Sequence, residues 1–191
     1  MAYIKSIPTS VEGVGSVMIR YPKQNLHMSS LTEHVMRLDD SNFTSKQREL
    51  IAAFTSGTNN CTFCYNAHKA TAVAYGVDED LLESLINDID SSPIEDTFKP
   101  ILHYVRKLTL TPSRIVQADV DAILEAGWDE NDFHFVVMIC ALFNFYNRMM
   151  DGYGATNTPE FRSMVGTKLS DIGYGSEAWE AEVRKMAEQI E

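Results

Sequence analysis

Residues 44–76 read TSKQRELIAAFTSGTNNCTFCYNAHKATAVAYG. Thr44 followed three residues later by Gln47 forms a capping box, so a helix starts here, and Leu50, Ala53 and Phe54 give it an apolar stripe. Gly57 suits the position just past a helix C-terminus. Thr58, Asn59 and Asn60 then offer N-cap oxygens to a second helix, expected from about Cys61 to Tyr75 and stopped by Gly76. The two helices form a hairpin whose second member begins with Cys61-x-x-Cys64.

Helical signals continue on both sides. A helix is expected over about Leu26–Leu38, with Leu31, His34, Val35 and Leu38 on one stripe, while the stretch to about Tyr21 has no clear period and reads as an extended arm or loop. Downstream, Asp78 caps a short helix to about Asn87. Ser92-Pro93-Ile94-Glu95 combines a capping Ser, Pro at N1 and Glu at N3 for a helix to about Leu108. Thr111-Pro112 breaks the chain, a further helix ends at Gly127, and Asp129 caps a long apolar helix reaching about Met150. Its Val136, Val137, Ile139, Cys140, Leu142 and Phe143 cover most of the circumference, which predicts a central buried helix. A short helix near Pro159–Val165 and a polar one over Ser176–Ile190 complete the chain. The fold class is all-α. No linker is long enough to divide it, so residues 1–191 form one domain, with an arm at 1–22, a dithiol core at 44–80 and the long buried helix at 129–152. The similar turns Gly76-Val77-Asp78-Glu79-Asp80 and Gly127-Trp128-Asp129-Glu130-Asn131 permit a duplicated helical unit.

Composition narrows the function. An apolar content of 45% is ordinary for a globular chain, and a net charge of −11 with no basic cluster argues against nucleic acid and anionic membrane surfaces. Residues 1–8 lack a signal peptide's apolar stretch, and no run approaches the roughly 18 apolar residues of a membrane span, so a cytoplasmic location is expected. Three cysteines make no disulfide framework; in a reducing compartment a close pair is catalytic or metal-binding.

On the second helix of the hairpin, positions 61, 64, 68, 72 and 75 share a face. The partial positive charge and free N–H groups of a helix N-terminus favour a thiolate, and two cysteines three apart can cycle between dithiol and disulfide. His68, one turn beyond Cys64, can take a thiol proton, and Glu49 on the preceding helix can orient its ring. On the helix dipole alone Cys61, at the first position, is the favoured nucleophile.

Glu49, eleven residues, Cys61-Thr62-Phe63-Cys64, three residues, His68 and then Gly76 resemble the core of the AhpD-like alkylhydroperoxidases of the carboxymuconolactone decarboxylase superfamily. Residues 141–148, ALFNFYNR, with Asp151-Gly152 resemble the second half of its peroxidase-related branch. The resemblance implies an all-helical fold, a trimer or hexamer, and reduction of an alkyl hydroperoxide by the dithiol. A partner dithiol, lipoyl-bearing or thioredoxin-like, then re-reduces the site. It also makes Cys64 the nucleophile and Cys61 the resolving thiol, with His68 and Glu49 relaying the proton. Some family members carry His between the two cysteines, where this chain has Phe63. No cofactor or metal is expected.

Tyr75, Asn147, Arg148 and Asp151 are candidate pocket residues, although caps and salt bridges are the commoner fate of such side chains. Cys140, within an apolar helix, reads as an inert core thiol, and His34, His103 and His134 read as structural. Three alternatives stand beside the peroxidase: a dithiol–disulfide reductase or electron relay, a decarboxylase or lactone-acting enzyme of the same superfamily, and a zinc-bound non-catalytic module using Cys61, Cys64, His68 and Glu49.

Overall fold

The capping signals at Thr44 and Asp129 are realised in side-chain geometry. Thr44 Oγ1 accepts from Gln47 N at 3.2 Å while Gln47 Oε1 accepts from Thr44 N at 2.9 Å. Asp129 and Asp132 exchange the same reciprocal bonds at 2.8 and 3.1 Å. In a computed structural model, which describes residues 3–7, 14–38, 40–175 and 177–188, these caps open α3 (Ser45–Thr58) and α8 (Glu130–Tyr153). The other helices are α1 (Val14–Arg20), α2 (Pro22–Arg37), α4 (Thr62–Ala74), α5 (Leu81–Asn87), α6 (Lys99–Leu110), α7 (Gln117–Glu125), α9 (Pro159–Ile172) and α10 (Glu177–Glu188). Among the described residues there is no strand, and the fold is all-α.

The α3–α4 hairpin lies at the centre. α3 packs on α4, α6 and α8, and α9 lies along α4. Ile51, Ala52, Ala53 and Phe54 of α3 meet Ile101, Leu102 and Val105 of α6 and Val136, Ile139 and Phe143 of α8, all at 1% exposure or less. Arg48 is buried among them. Its guanidinium donates to Val35 O at 2.9 Å and Ser41 Oγ at 3.0 Å, and lies 4.8 Å from the Phe135 ring centre. A buried charge is tolerated where carbonyls and an aromatic face replace its water.

Several element boundaries differ from the sequence reading. Part of the expected arm is helical, as α1, while residues 8–13 lie outside the described residues; so do Ser176 and Ile190 of the final helix. Gly57 does not end α3. The helix runs to Thr58, and Asn60 takes the left-handed conformation at φ 57°, which Asn tolerates. Asn60 N and Cys61 N then close onto Gly57 O and Ser56 O, each at 3.0 Å. A Cβ on Gly57 would come within 2.7 Å of Ile86 Cδ1, so its value is close packing of α5. Asp80, not Asp78, is the N-cap of α5. Ser92 Oγ donates back to Asp88 O, and α6 begins only at Lys99 with Pro100 in its first turn. α9 continues to Ile172, beyond the expected Val165.

α8 is not buried all round. Among the described residues it is the one helix long and apolar enough to cross a membrane, although no such run was expected, yet half of that window is buried in the protein. Its other face leaves Ala141 and Phe145 exposed.

The N-terminus of α8 is tied to the link after α2 by Asp132, which is fully buried and accepts from Asn42 N at 2.8 Å and Asn42 Nδ2 at 2.9 Å. Removing a buried charged acceptor leaves these donors unpaired. Asp132→Ala is expected to destabilise the protein by about 2–3 kcal/mol, read as a lower urea midpoint at unchanged slope.

Candidate functional site

Cys61 is the N-cap residue of α4, but no side chain caps that helix; the expected N-cap candidates Thr58, Asn59 and Asn60 do not serve. The Asn59 amide instead reaches across to α8, donating to Asn144 Oδ1 at 3.0 Å and Asn147 Oδ1 at 2.8 Å. Asn147 Nδ2 donates to Ser56 Oγ at 3.0 Å, and the Asn147 carbonyl accepts from Cys61 Sγ at 3.8 Å. A ladder of amides thus locks the end of α3 and the start of α4 against α8.

Both cysteines are free thiols out of water, Cys61 at 0% and Cys64 at 3% exposure. Helix position had suggested a stabilised thiolate. The Cys64 thiol is instead pushed far above its ordinary value, first by its hydrogen bond to Cys61 and then by burial, with the Cys61 and Asp151 charges adding and an Asn147 hydrogen bond opposing. Cys64 therefore holds its proton and shares it with Cys61.

One turn further along α4, His68 Nδ1 lies 2.9 Å from Glu49 Oε2 of α3, with exposures of 7% and 2%. The ring of Phe143 sits edge-on to the imidazole at 4.3 Å. A third group completes this pair: Tyr174, in the turn after α9, donates its hydroxyl hydrogen to Glu49 Oε1 and lies 3.2 Å from His68 Nδ1. Burial, then the Glu49 charge, pushes the Tyr174 phenol well above its ordinary value, so it keeps its proton. Tyr174 was not selected from the sequence. The one local signal was an aromatic residue held between Gly173 and Gly175.

The four candidate pocket residues part ways. Asn147 is buried in the amide ladder beside the cysteines. Asp151 is exposed and acts on Cys64 only through its charge. Arg148 is exposed and donates to Asn144 O at 2.7 Å and Asn144 Oδ1 at 2.9 Å. Tyr75 accepts from Arg37 and donates to Ser170 O at 3.0 Å, a strut between α2, α4 and α9. Cys140 lies in the core with Thr109 Oγ1 at 3.3 Å, its thiol pushed up chiefly by burial. Among the described residues no three His, Cys, Asp or Glu side chains are grouped so as to hold a metal ion. The site offers two thiols in mutual contact, and one helix turn away an imidazole whose Nδ1 is committed to a carboxylate. Such a set can move a proton and two electrons.

Residues 27–91, which contain Glu49, Cys61, Cys64 and His68, match the carboxymuconolactone decarboxylase family. No curated protein matches the chain by sequence. Among solved structures, it is similar to an uncharacterized peroxidase-related protein from Silicibacter sp. TM1040, with a TM-score of 0.72, 22% identity and 78% of each chain covered. It is also similar to an alkylhydroperoxidase AhpD core, an uncharacterized peroxidase-related protein from Ralstonia eutropha JMP134, with a TM-score of 0.71, 23% identity and 78% of each chain covered. The family match takes in the two helices that build the site, and the two solved structures share the fold over most of the chain.

Proposed function

We propose that the protein is a thiol-dependent peroxidase that reduces alkyl hydroperoxides through a Cys61–Cys64 dithiol–disulfide cycle. The observation that carries this reading is the Glu49–His68 hydrogen bond, one turn beyond a thiol that holds its proton. A peroxidatic thiol with a lowered pKa needs no base. A thiol held neutral needs one, and His68 is in the right turn to be it.

In the first step His68 Nε2 takes the Cys64 proton, and the thiolate attacks the distal peroxide oxygen. The O–O bond breaks, and the departing alkoxide takes the proton from His68, giving an alcohol and a Cys64 sulfenic acid. The Cys61 sulfur then attacks Cys64 Sγ; hydroxide leaves and combines with the Cys61 proton as water, closing the disulfide. Two electrons and two protons from a partner dithiol, lipoyl-bearing or thioredoxin-like, restore the thiols. Cys64 rather than Cys61 is assigned as the nucleophile because it lies four residues from His68, which leaves the resolving role to Cys61, fully buried against Asn147 O.

The firm hold on the Cys64 proton also favours a second reading, a dithiol–disulfide reductase or electron relay that meets peroxide only incidentally. Exposed apolar side chains on α2, α8 and α9, Leu31, Phe145 and Met164 among them, support a homo-oligomeric state.

Cys64→Ser is expected to abolish alkyl hydroperoxide turnover measured with a dithiol reductant. Undiminished turnover would remove the mechanism, and faster turnover of lipoamide than of peroxide by the unmodified protein would favour the reductase. Because the Cys64 pKa is raised, its thiolate fraction keeps growing with pH. Iodoacetamide labelling of Cys64 in the reduced protein should therefore still be climbing at about pH 9, above an ordinary thiol's pKa of about 8.5; a plateau near neutrality would show a stabilised thiolate. Sedimentation velocity should find a trimer or hexamer, and a monomer at all concentrations would contradict the assembly.

A further inference from the structure

Tyr174 reaches the site from a turn whose construction is unusually demanding. Gly173 closes α9 at φ 77°, ψ −160°, a region essentially reserved for glycine. A Cβ there would fall 2.5 Å from Glu33 Oε2 of α2. Glu33 Oε2 accepts from Tyr174 N at 2.5 Å and Gly175 N at 3.0 Å, and Ser29 Oγ donates to Tyr174 O. Two residues of α2 therefore hold both sides of Tyr174, and its ring stacks over His68 with 6.0 Å between centres and 17° between planes.

The hydrogen count around the imidazole follows from these contacts. A phenol has one hydrogen, and Tyr174 gives it to Glu49 Oε1. Its oxygen can then only accept from His68 Nδ1, as Glu49 Oε2 also does. Both neighbours of Nδ1 are acceptors, so Nδ1 carries a hydrogen, and in the neutral ring that leaves the lone pair on Nε2. With Oε1 anchored, the carboxylate cannot rotate away from the ring.

We infer that Tyr174 is a positioning residue for the His68 base: it clamps Glu49 so that His68 is held as the Nδ1–H tautomer with Nε2 free to accept the thiol proton. The inference deepens the peroxidase reading and rests on it for its kinetic consequence, whereas the hydrogen-bond arrangement can be read without any substrate.

The test compares the reduced, intact protein with Tyr174→Phe, which keeps the ring, and with Glu33→Ala, which keeps the tyrosine but loosens the turn that delivers it. Nuclear magnetic resonance of ¹⁵N-histidine-labelled protein reads the His68 ring. The unmodified protein should show a downfield, slowly exchanging Nδ1–H. In both variants that signal should move upfield and exchange faster. Peroxide turnover should fall about tenfold in kcat, a modest share of what a positioned base contributes, at unchanged KM. A folded Tyr174→Phe protein with an unchanged Nδ1–H signal would overturn the inference. If the unmodified protein turns over no peroxide while its Nδ1–H signal still depends on Tyr174, the inference stands and the peroxidase reading falls.

Discussion

The hydrogen bond from His68 Nδ1 to Glu49 Oε2 joins α3 to α4, and the arrangement of the site depends on it. It requires the two helices to pack side by side in one register. That register is set by Asn60, whose left-handed backbone turns the chain so that Cys61 N closes onto Ser56 O. It requires burial, supplied by α8 through Phe143 and by α9 along α4. A carboxylate and an imidazole removed from water are stable only while each has a partner, so the pair also rewards the packing that hides it.

The two halves of the site pull in opposite directions. Helix position favours a thiolate, yet the Cys61–Cys64 hydrogen bond and burial outweigh it at Cys64, whose thiol is pushed well above its ordinary value. A buried thiol that holds its proton is sheltered from indiscriminate oxidation. In the proposed cycle the same shelter makes Cys64 dependent on a base, the role assigned to the Glu49–His68–Tyr174 set. Phe63 lies between the cysteines, so no second imidazole stands there.

Much of this was legible in the residue order. The capping box at Thr44 and the cap at Asp129 are local and both formed, the latter as a reciprocal box with Asp132. The spacing conveyed the Glu49–His68 contact and the Cys61–Cys64 contact because a hairpin of two helices leaves little freedom. What was missed depends on contacts distant in sequence. Gly57 looked like a helix stop because its steric reason, Ile86, lies on another helix. Asn59 looked like an N-cap because its partners, Asn144 and Asn147, are on α8. Tyr174 had no local signature beyond its flanking glycines, since its partners are at positions 29, 33, 49 and 68. The rise in the Cys64 pKa was likewise invisible, because burial belongs to the assembled fold.

The most direct measurement of the central claim is a single turnover. The fully reduced protein is mixed with one equivalent of an alkyl hydroperoxide, and the products are followed by free-thiol titration and peptide mass spectrometry. The account predicts one alcohol formed per protein, two thiols lost, and a Cys61–Cys64 disulfide with Cys140 still reduced. Peroxide left unconsumed with all three thiols intact would contradict it.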